Sequence, residues 1–340
     1  MLNKLSTDEL SSMLPKKFNT KYENGKLYPY KGAILSLTYH CNTDVCEYCY
    51  ARPQKILGTM GTEKFTELLT WISGITDFRL LHFLGGEPTT ISNLEDYYDI
   101  AHKFGFHINL YTNGKFKPNI GELLKTHPAS KYVVFHYEPL IFEKFDGFKE
   151  TFFSNIKELS NSDKELGIIY MIHKADFAAS QEVIETAQTY NMELRWMIAP
   201  PGPKYDKYLT LDQLKSMRGE IQKFLLETVE RGISSTVDMA TPLCIFDEEF
   251  LLEYGQQLNL IKMCSPYIYV KPDLSTQYCT QLPQFKTPPL GSTEDLRSAI
   301  LASRERLPEI RKKIPFKECE SCRLFNVICQ GGCHDYKFYS

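Results

Sequence analysis

Between residues 32 and 238 short apolar runs alternate with amphipathic stretches, a rhythm that points to a parallel α/β fold. Candidate strands lie at 33–38, 78–84, 106–111, 131–137, 166–172, 192–198 and 233–238. Phe65, Leu68, Leu69 and Ile72 make one apolar helix face, with Thr62 as its expected N-cap. Ser92-x-x-Glu95 and Thr210-x-x-Gln213 read as capping boxes, the second opening a long helix through Leu214, Ile221, Phe224 and Leu225. This strand count falls short of a closed eight-stranded barrel. A partial, laterally open barrel fits, with its functional loops at the C-terminal ends of the strands.

The loop after the first of these strands carries Cys41-x4-Cys46-x2-Cys49. Three thiolates on one tight loop can hold a 4Fe–4S cluster by three of its irons and leave the fourth open to a ligand; four thiolates would close it for electron transfer. After the second strand comes Gly85-Gly86-Glu87-Pro88, where two glycines permit close backbone approach and a carboxylate suits an ammonium group. Zinc is the competing occupant of the cysteine loop, with His40 as a possible fourth ligand.

These two loops resemble those of radical S-adenosylmethionine (SAM) enzymes. The resemblance implies an α/β fold, a partial (β/α)6-type radical SAM barrel, and a 4Fe–4S cluster on Cys41, Cys46 and Cys49. In the family the open iron chelates SAM, and one electron cleaves it to a 5′-deoxyadenosyl radical. By the same resemblance Tyr48 lies against the adenine, and Gly85, Gly86 and Glu87 receive the methionine amino group. Asn113, in Tyr111-Thr112-Asn113-Gly114, matches the family's Thr-Asn-Gly loop near SAM, although Asn-Gly is also simply a good turn. Glu138 and His173 are candidate cofactor contacts after the fourth and fifth strands, and His136 reads as a core histidine. Ile198 opens a Pro/Gly loop expected to close over adenine through backbone groups. The family's usual first cysteine spacing is three residues, whereas here it is four (Asn42, Thr43, Asp44, Val45), so one residue is expected to bulge out.

After residue 239 seven more cysteines follow. Cys264 and Cys279 bracket an expected β-hairpin, with Ile268 and Val270 before a Pro272-Asp273 turn. The tail Cys319-x2-Cys322-x6-Cys329-x3-Cys333, with Gly331-Gly332, resembles the SPASM extension of radical SAM enzymes, which binds auxiliary Fe–S clusters. It departs from that pattern in its middle spacing of six and in lacking a final cysteine. By analogy one auxiliary cluster takes Cys244, Cys264, Cys279 and Cys333. A second takes Cys319, Cys322 and Cys329, completed by an open iron or by His334 or Asp335. Cys244, within Pro242-Leu243-Cys244-Ile245-Phe246, also reads as a buried apolar cysteine, and zinc ribbons are the competing reading of the tail. The expected organisation is a leader at 1–29, the barrel at 30–238 and a small cysteine-rich SPASM-like domain at 239–340.

The resemblance implies an oxidoreductase-type enzyme that abstracts hydrogen from a peptide or protein. The outcome would be oxidative C–H functionalisation or crosslinking, as in maturases of ribosomally made peptides (RiPPs). Oxidation or epimerisation of a small molecule is an alternative. Formylglycine formation on sulfatases ranks lower, because Thr280 stands where those members tend to have Asp. A non-enzymatic Fe–S or zinc scaffold is the third reading. Glu138, Asp238 and Tyr111, at strand ends, are the candidate catalytic side chains. A low-potential donor such as flavodoxin or ferredoxin is expected to supply the electron. With 43% hydrophobic and 24% charged residues the chain is an ordinary globule. A net charge of −3 offers no basic field for nucleic acid, and no run is apolar enough for a membrane span. Cytoplasm is the expected location.

Overall fold

A computed structural model describes residues 5–13, 21–23, 26–28, 32–175, 177–202, 205, 207–264, 267–280 and 282–339. Much of the expected 1–29 leader lies outside them. The strands are β1 (Lys21–Glu23), β2 (Lys26–Tyr28), β3 (Ala33–Thr38), β4 (Leu80–Gly85), β5 (His107–Thr112), β6 (Ser130–Tyr137), β7 (Glu165–Ile172), β8 (Glu193–Ile198), β9 (Ser235–Val237), β10 (Ile268–Val270) and β11 (Thr276–Gln277). β3 to β9 fall on the seven expected runs. Contacts divide the chain into two units, residues 18–167 with 266–305, and residues 1–17 with 168–265 and 306–340.

In the first unit the strand order is β11-β10-β3-β4-β5-β6. Within this sheet the pairs are parallel except the β10–β11 hairpin, in which Tyr269 faces Gln277 and Val270 faces Thr276; β1 and β2 form a separate antiparallel pair. The expected hairpin therefore exists, and it extends the sheet beside β3, the strand that leads into the cysteine loop. A buried hydroxyl network holds it there: Tyr269 bonds Ser36 at 2.7 Å and Tyr39 at 2.8 Å. Helices cover the strands, and apolar residues such as Leu35, Phe83, Leu110 and Val134 are fully buried, as a parallel sheet covered by helices requires.

The helix Thr62–Ile75 buries Phe65, Leu68, Leu69, Ile72 and Ile75 on one face. Its N-cap is Gly61, with Thr62 already in the first turn. At the next helix, Leu94–Lys103, the cap is Asn93, and no Ser92 capping box forms. Each correction is a shift of one residue, a distance that periodicity does not resolve.

The second unit contains β8 paired in parallel with β9, and beside β8 the part of β7 from Ile168 on. The Thr210–Gln213 capping box is present, with Thr210 Oγ1 accepting from Gln213 N–H at 3.3 Å. The helix it opens stops at Ser216. A second helix, Arg218–Glu230, carries the remaining expected apolar face.

Candidate active site

Cys41, Cys46 and Cys49 lie half-buried on the loop that leaves β3. Burial, then Glu138, Cys49 and Cys41, push the Cys46 thiol up. Burial also raises Cys49, partly offset by the backbone N–H groups of Arg52 and Ala51 that point at its sulfur. Cys46 and Cys49, each with Cys41 in its field, resist ionisation until a cationic centre arrives, so this donor set fits an iron–sulfur core. Among the described residues no three His, Cys, Asp or Glu side chains converge closely enough for a single metal ion. The three thiols are neighbours, not a closed tetrahedron.

The extra residue of the Cys41–Cys46 spacing is accommodated at Asp44, whose φ of 56° is left-handed, a conformation Asp tolerates better than most residues. Its carboxylate meets Lys55 at 2.5 Å and Arg52 at 3.4 Å, and Arg52 also donates to the carbonyls of Asp44 and Cys46 at 2.9 Å each. These ion pairs are over a third exposed on each side, so solvent screens most of their energy and the backbone turn matters more. Asp44→Gly is therefore expected to retain iron on this loop. Asp44→Val, a β-branched residue forced left-handed at a cost of about 1–2 kcal/mol, should lose it severalfold faster to a chelator. Equal chelation rates in the two variants would contradict this account of the bulge.

The two glycines after β4 serve the chain itself. A Cβ on Gly85 would stand 1.9 Å from Thr38 O, and one on Gly86 would stand 2.1 Å from His40 O. This approach lets Gly86 N–H donate to Thr38 O and Glu87 N–H to His40 O, each at 2.7 Å, locking the Gly-Gly-Glu-Pro loop onto the cysteine loop. Glu87 also has partners within the chain. Its buried carboxylate accepts from Thr89 N–H at 3.1 Å, Thr89 Oγ1 at 2.7 Å, Thr112 Oγ1 at 2.8 Å and Asn113 N–H at 2.6 Å. Four donors of the chain already converge on it, which makes it a clamp between the loops after β4 and β5. Burial raises its carboxyl against the pull of those donors.

Asn113 extends the same clamp to the cysteines. Its side-chain amide donates to Asn42 Oδ1 at 2.6 Å, and Asn42 donates to Lys115 O at 3.2 Å. The loops after β3, β4 and β5 thus form one hydrogen-bonded body. Sequence reasoning singled out Asn113 but missed Asn42, which it counted only as spacing.

Tyr48 is buried, and its hydroxyl bonds His136 Nε2 at 2.9 Å and donates to Glu138. These bonds anchor Tyr48 through its hydroxyl, with His136 at the ring's edge. Glu138 also caps the helix Pro139–Lys144, accepting from Leu140 N–H at 3.2 Å. Its place beside Cys46 makes it part of the wall around the thiols. Tyr111 lies within β5, its ring 6.1 Å from that of His82. In the other unit His173 follows β7 and Ile198 ends β8, while Asp238 is bound by Arg195, an ion pair that ties up the carboxylate expected as a base.

The cysteines of the second unit sort differently from the expectation. Cys244 is exposed, which overturns its reading as a buried apolar residue. Burial of its sulfur and the nearby Cys329, Cys319 and Cys322 raise its thiol to about 11. Around Cys264 the neighbours are Gln330, which accepts from its N–H at 2.8 Å, and Asp335. Asp335 accepts from the Cys333 thiol at 3.4 Å, and burial pushes its carboxyl up to about 7. Asp335 thus sits with Cys264 and Cys333 and not with the Cys319 group. Burial first, then Lys337 and Arg311, lower the His334 imidazole to about 3. Cys279 belongs to the first unit.

No family model matches the chain, and no curated protein does. Among solved structures it is similar to Streptococcus suis SuiB bound to the precursor peptide SuiA, at TM-score 0.67 and 14% identity, covering 91% of this chain and 73% of that one. Native anSMEcpe with bound AdoMet aligns at TM-score 0.66 and 17% identity, covering 89% of each chain. The same enzyme with AdoMet and the Cp18Cys peptide aligns at TM-score 0.65 and 16% identity, again over 89% of each. The mostly parallel α/β fold with a cysteine-rich C-terminal region is the one these neighbours share.

Proposed function

We propose that this chain is a radical SAM enzyme that takes hydrogen from a peptide or protein and leaves it oxidatively functionalised or crosslinked. The observation that carries the reading is the single body formed by the loops after β3, β4 and β5, which presents Cys41, Cys46 and Cys49 at one place. The solved neighbours were crystallised with SAM and with peptides, which supports this choice of cofactor and of substrate class.

When bound, a cluster with one open iron would supply the electron that cleaves SAM reductively. The chain's own part is positioning. Cys41, Cys46 and Cys49 would hold the cluster at three corners. Gly85, Gly86 and Glu87 would receive the amino group of SAM, Glu87 through Oε2, which accepts a single bond within the chain. The Tyr48–Glu138–His136 set stiffens the loop and closes one side of it to water, and the electron would come from a flavodoxin or ferredoxin. Among the described residues no helix is long and apolar enough to cross a membrane.

Anaerobic reconstitution with iron and sulfide, followed by dithionite and SAM, should yield 5′-deoxyadenosine. Its formation should rise when the chain is given its peptide, for which a short open reading frame beside the gene is the first candidate. Absence of 5′-deoxyadenosine from protein that holds its iron would refute the enzyme reading and leave a scaffold.

A further inference from the structure

We infer that Cys244 is the fourth thiolate of a closed iron–sulfur site whose other three ligands are Cys319, Cys322 and Cys329. This rests on the iron–sulfur reading of the tail proposed above. Within the tail, Cys319, Cys322 and Cys329 make a group of three thiols, set apart from Cys333, which pairs with Asp335. Cys244 reaches that group from about eighty residues upstream, within the same unit.

Three independent features bring it there. First, the backbone of its 3-10 turn, Leu243–Ile245, touches the set directly: the N–H of Leu243 points at the Cys329 sulfur, alongside that of Gly331 at 3.3 Å. Secondly, Cys244 and Cys322 line one surface cleft, with Leu243 and Phe246 on one side and Ser321 and Leu324 on the other. Thirdly, one pair of adjoining helices anchors both turns. Arg218 donates to the carbonyls of Cys244 at 3.0 Å and Ile245 at 3.3 Å, and meets Asp247 at 2.7 Å. Lys215 meets Glu318, in the turn carrying Cys319, at 2.9 Å.

Amide N–H groups aimed at a sulfur stabilise its thiolate, and Lys215 brings positive charge to Cys244. A site built this way ligates all four irons. That leaves no vertex for substrate, so its work is confined to passing electrons.

The test needs no substitution. Wild-type chain reconstituted with iron and sulfide is treated with iodoacetamide without oxygen, and each cysteine is read by mass spectrometry against the iron-free chain. A ligated thiolate is unavailable as a nucleophile, so Cys244, though exposed, should label on the order of tenfold more slowly when iron is bound, in step with Cys319, Cys322 and Cys329. Protection of those three with Cys244 labelled as fast as in iron-free chain overturns the assignment and leaves the iron–sulfur reading intact. Labelling of all four at the iron-free rate overturns both. As a second measurement, Cys244→Ala should gain about one 3Fe–4S spin per chain after mild oxidation, because an iron without its thiolate is the one released. Equal spin counts in variant and wild type count against the proposal.

Discussion

Cys46→Ala is expected to abolish cleavage of SAM, a fall on the order of a thousandfold or more, the scale seen when a group that holds the reacting centre is removed. Cys46 is the middle thiol of its loop, within reach of both Cys41 and Cys49 and of Glu138. Two remaining thiolates cannot hold three corners of a cluster. The loss should appear in bound iron as well as in turnover, about one third if the chain carries three clusters. Iron in the C-terminal site should be unchanged. Cys46→Ser, with a harder oxygen donor, should retain part of the iron and little of the activity. A Cys46→Ala variant with full iron and normal 5′-deoxyadenosine would place the reacting centre elsewhere.

Glu87→Ala carries the second large effect, and it acts through the loops. Four donors lose their acceptor in a site closed to water, where each unpaired group costs about 1–3 kcal/mol. Allowing for relaxation, the variant should lose about 3–5 kcal/mol of stability. The loops after β4 and β5 would separate, and SAM affinity should fall with them. Glu87→Gln is the sharper probe. One side-chain oxygen retains its three donors, while the new amide group faces the Asn113 N–H, donor against donor, at a cost of about 1–3 kcal/mol. Denaturant unfolding of the three proteins should therefore rank wild type above Glu87→Gln above Glu87→Ala. Wild-type stability in Glu87→Gln would contradict the clamp.

Apolar periodicity in the sequence is enough to locate β3 to β9, because short apolar runs recurring between amphipathic helical stretches leave few alternatives to a parallel α/β sheet. The three-cysteine loop was legible too, since the chemistry needs those sulfurs close together in sequence. The neighbouring contacts were hidden. The Gly-Gly-Glu-Pro motif names Glu87 without showing how many donors of the chain surround it. Asn42 looked like spacing because its partners, Asn113 and Lys115, lie more than seventy residues on. The resemblance to SPASM extensions groups Cys244 with Cys264, Cys279 and Cys333. In the structure Arg218 holds the turn of Cys244, and no local pattern encodes that contact.

The central claim is that Cys41, Cys46 and Cys49 leave one iron of their cluster open for SAM. Electron paramagnetic resonance on anaerobically reconstituted, reduced chain, recorded with and without SAM, tests it most directly. The account predicts a signal reshaped by SAM in wild type and missing from Cys46→Ala. A spectrum that ignores SAM, or zinc in place of iron on this loop, would contradict it.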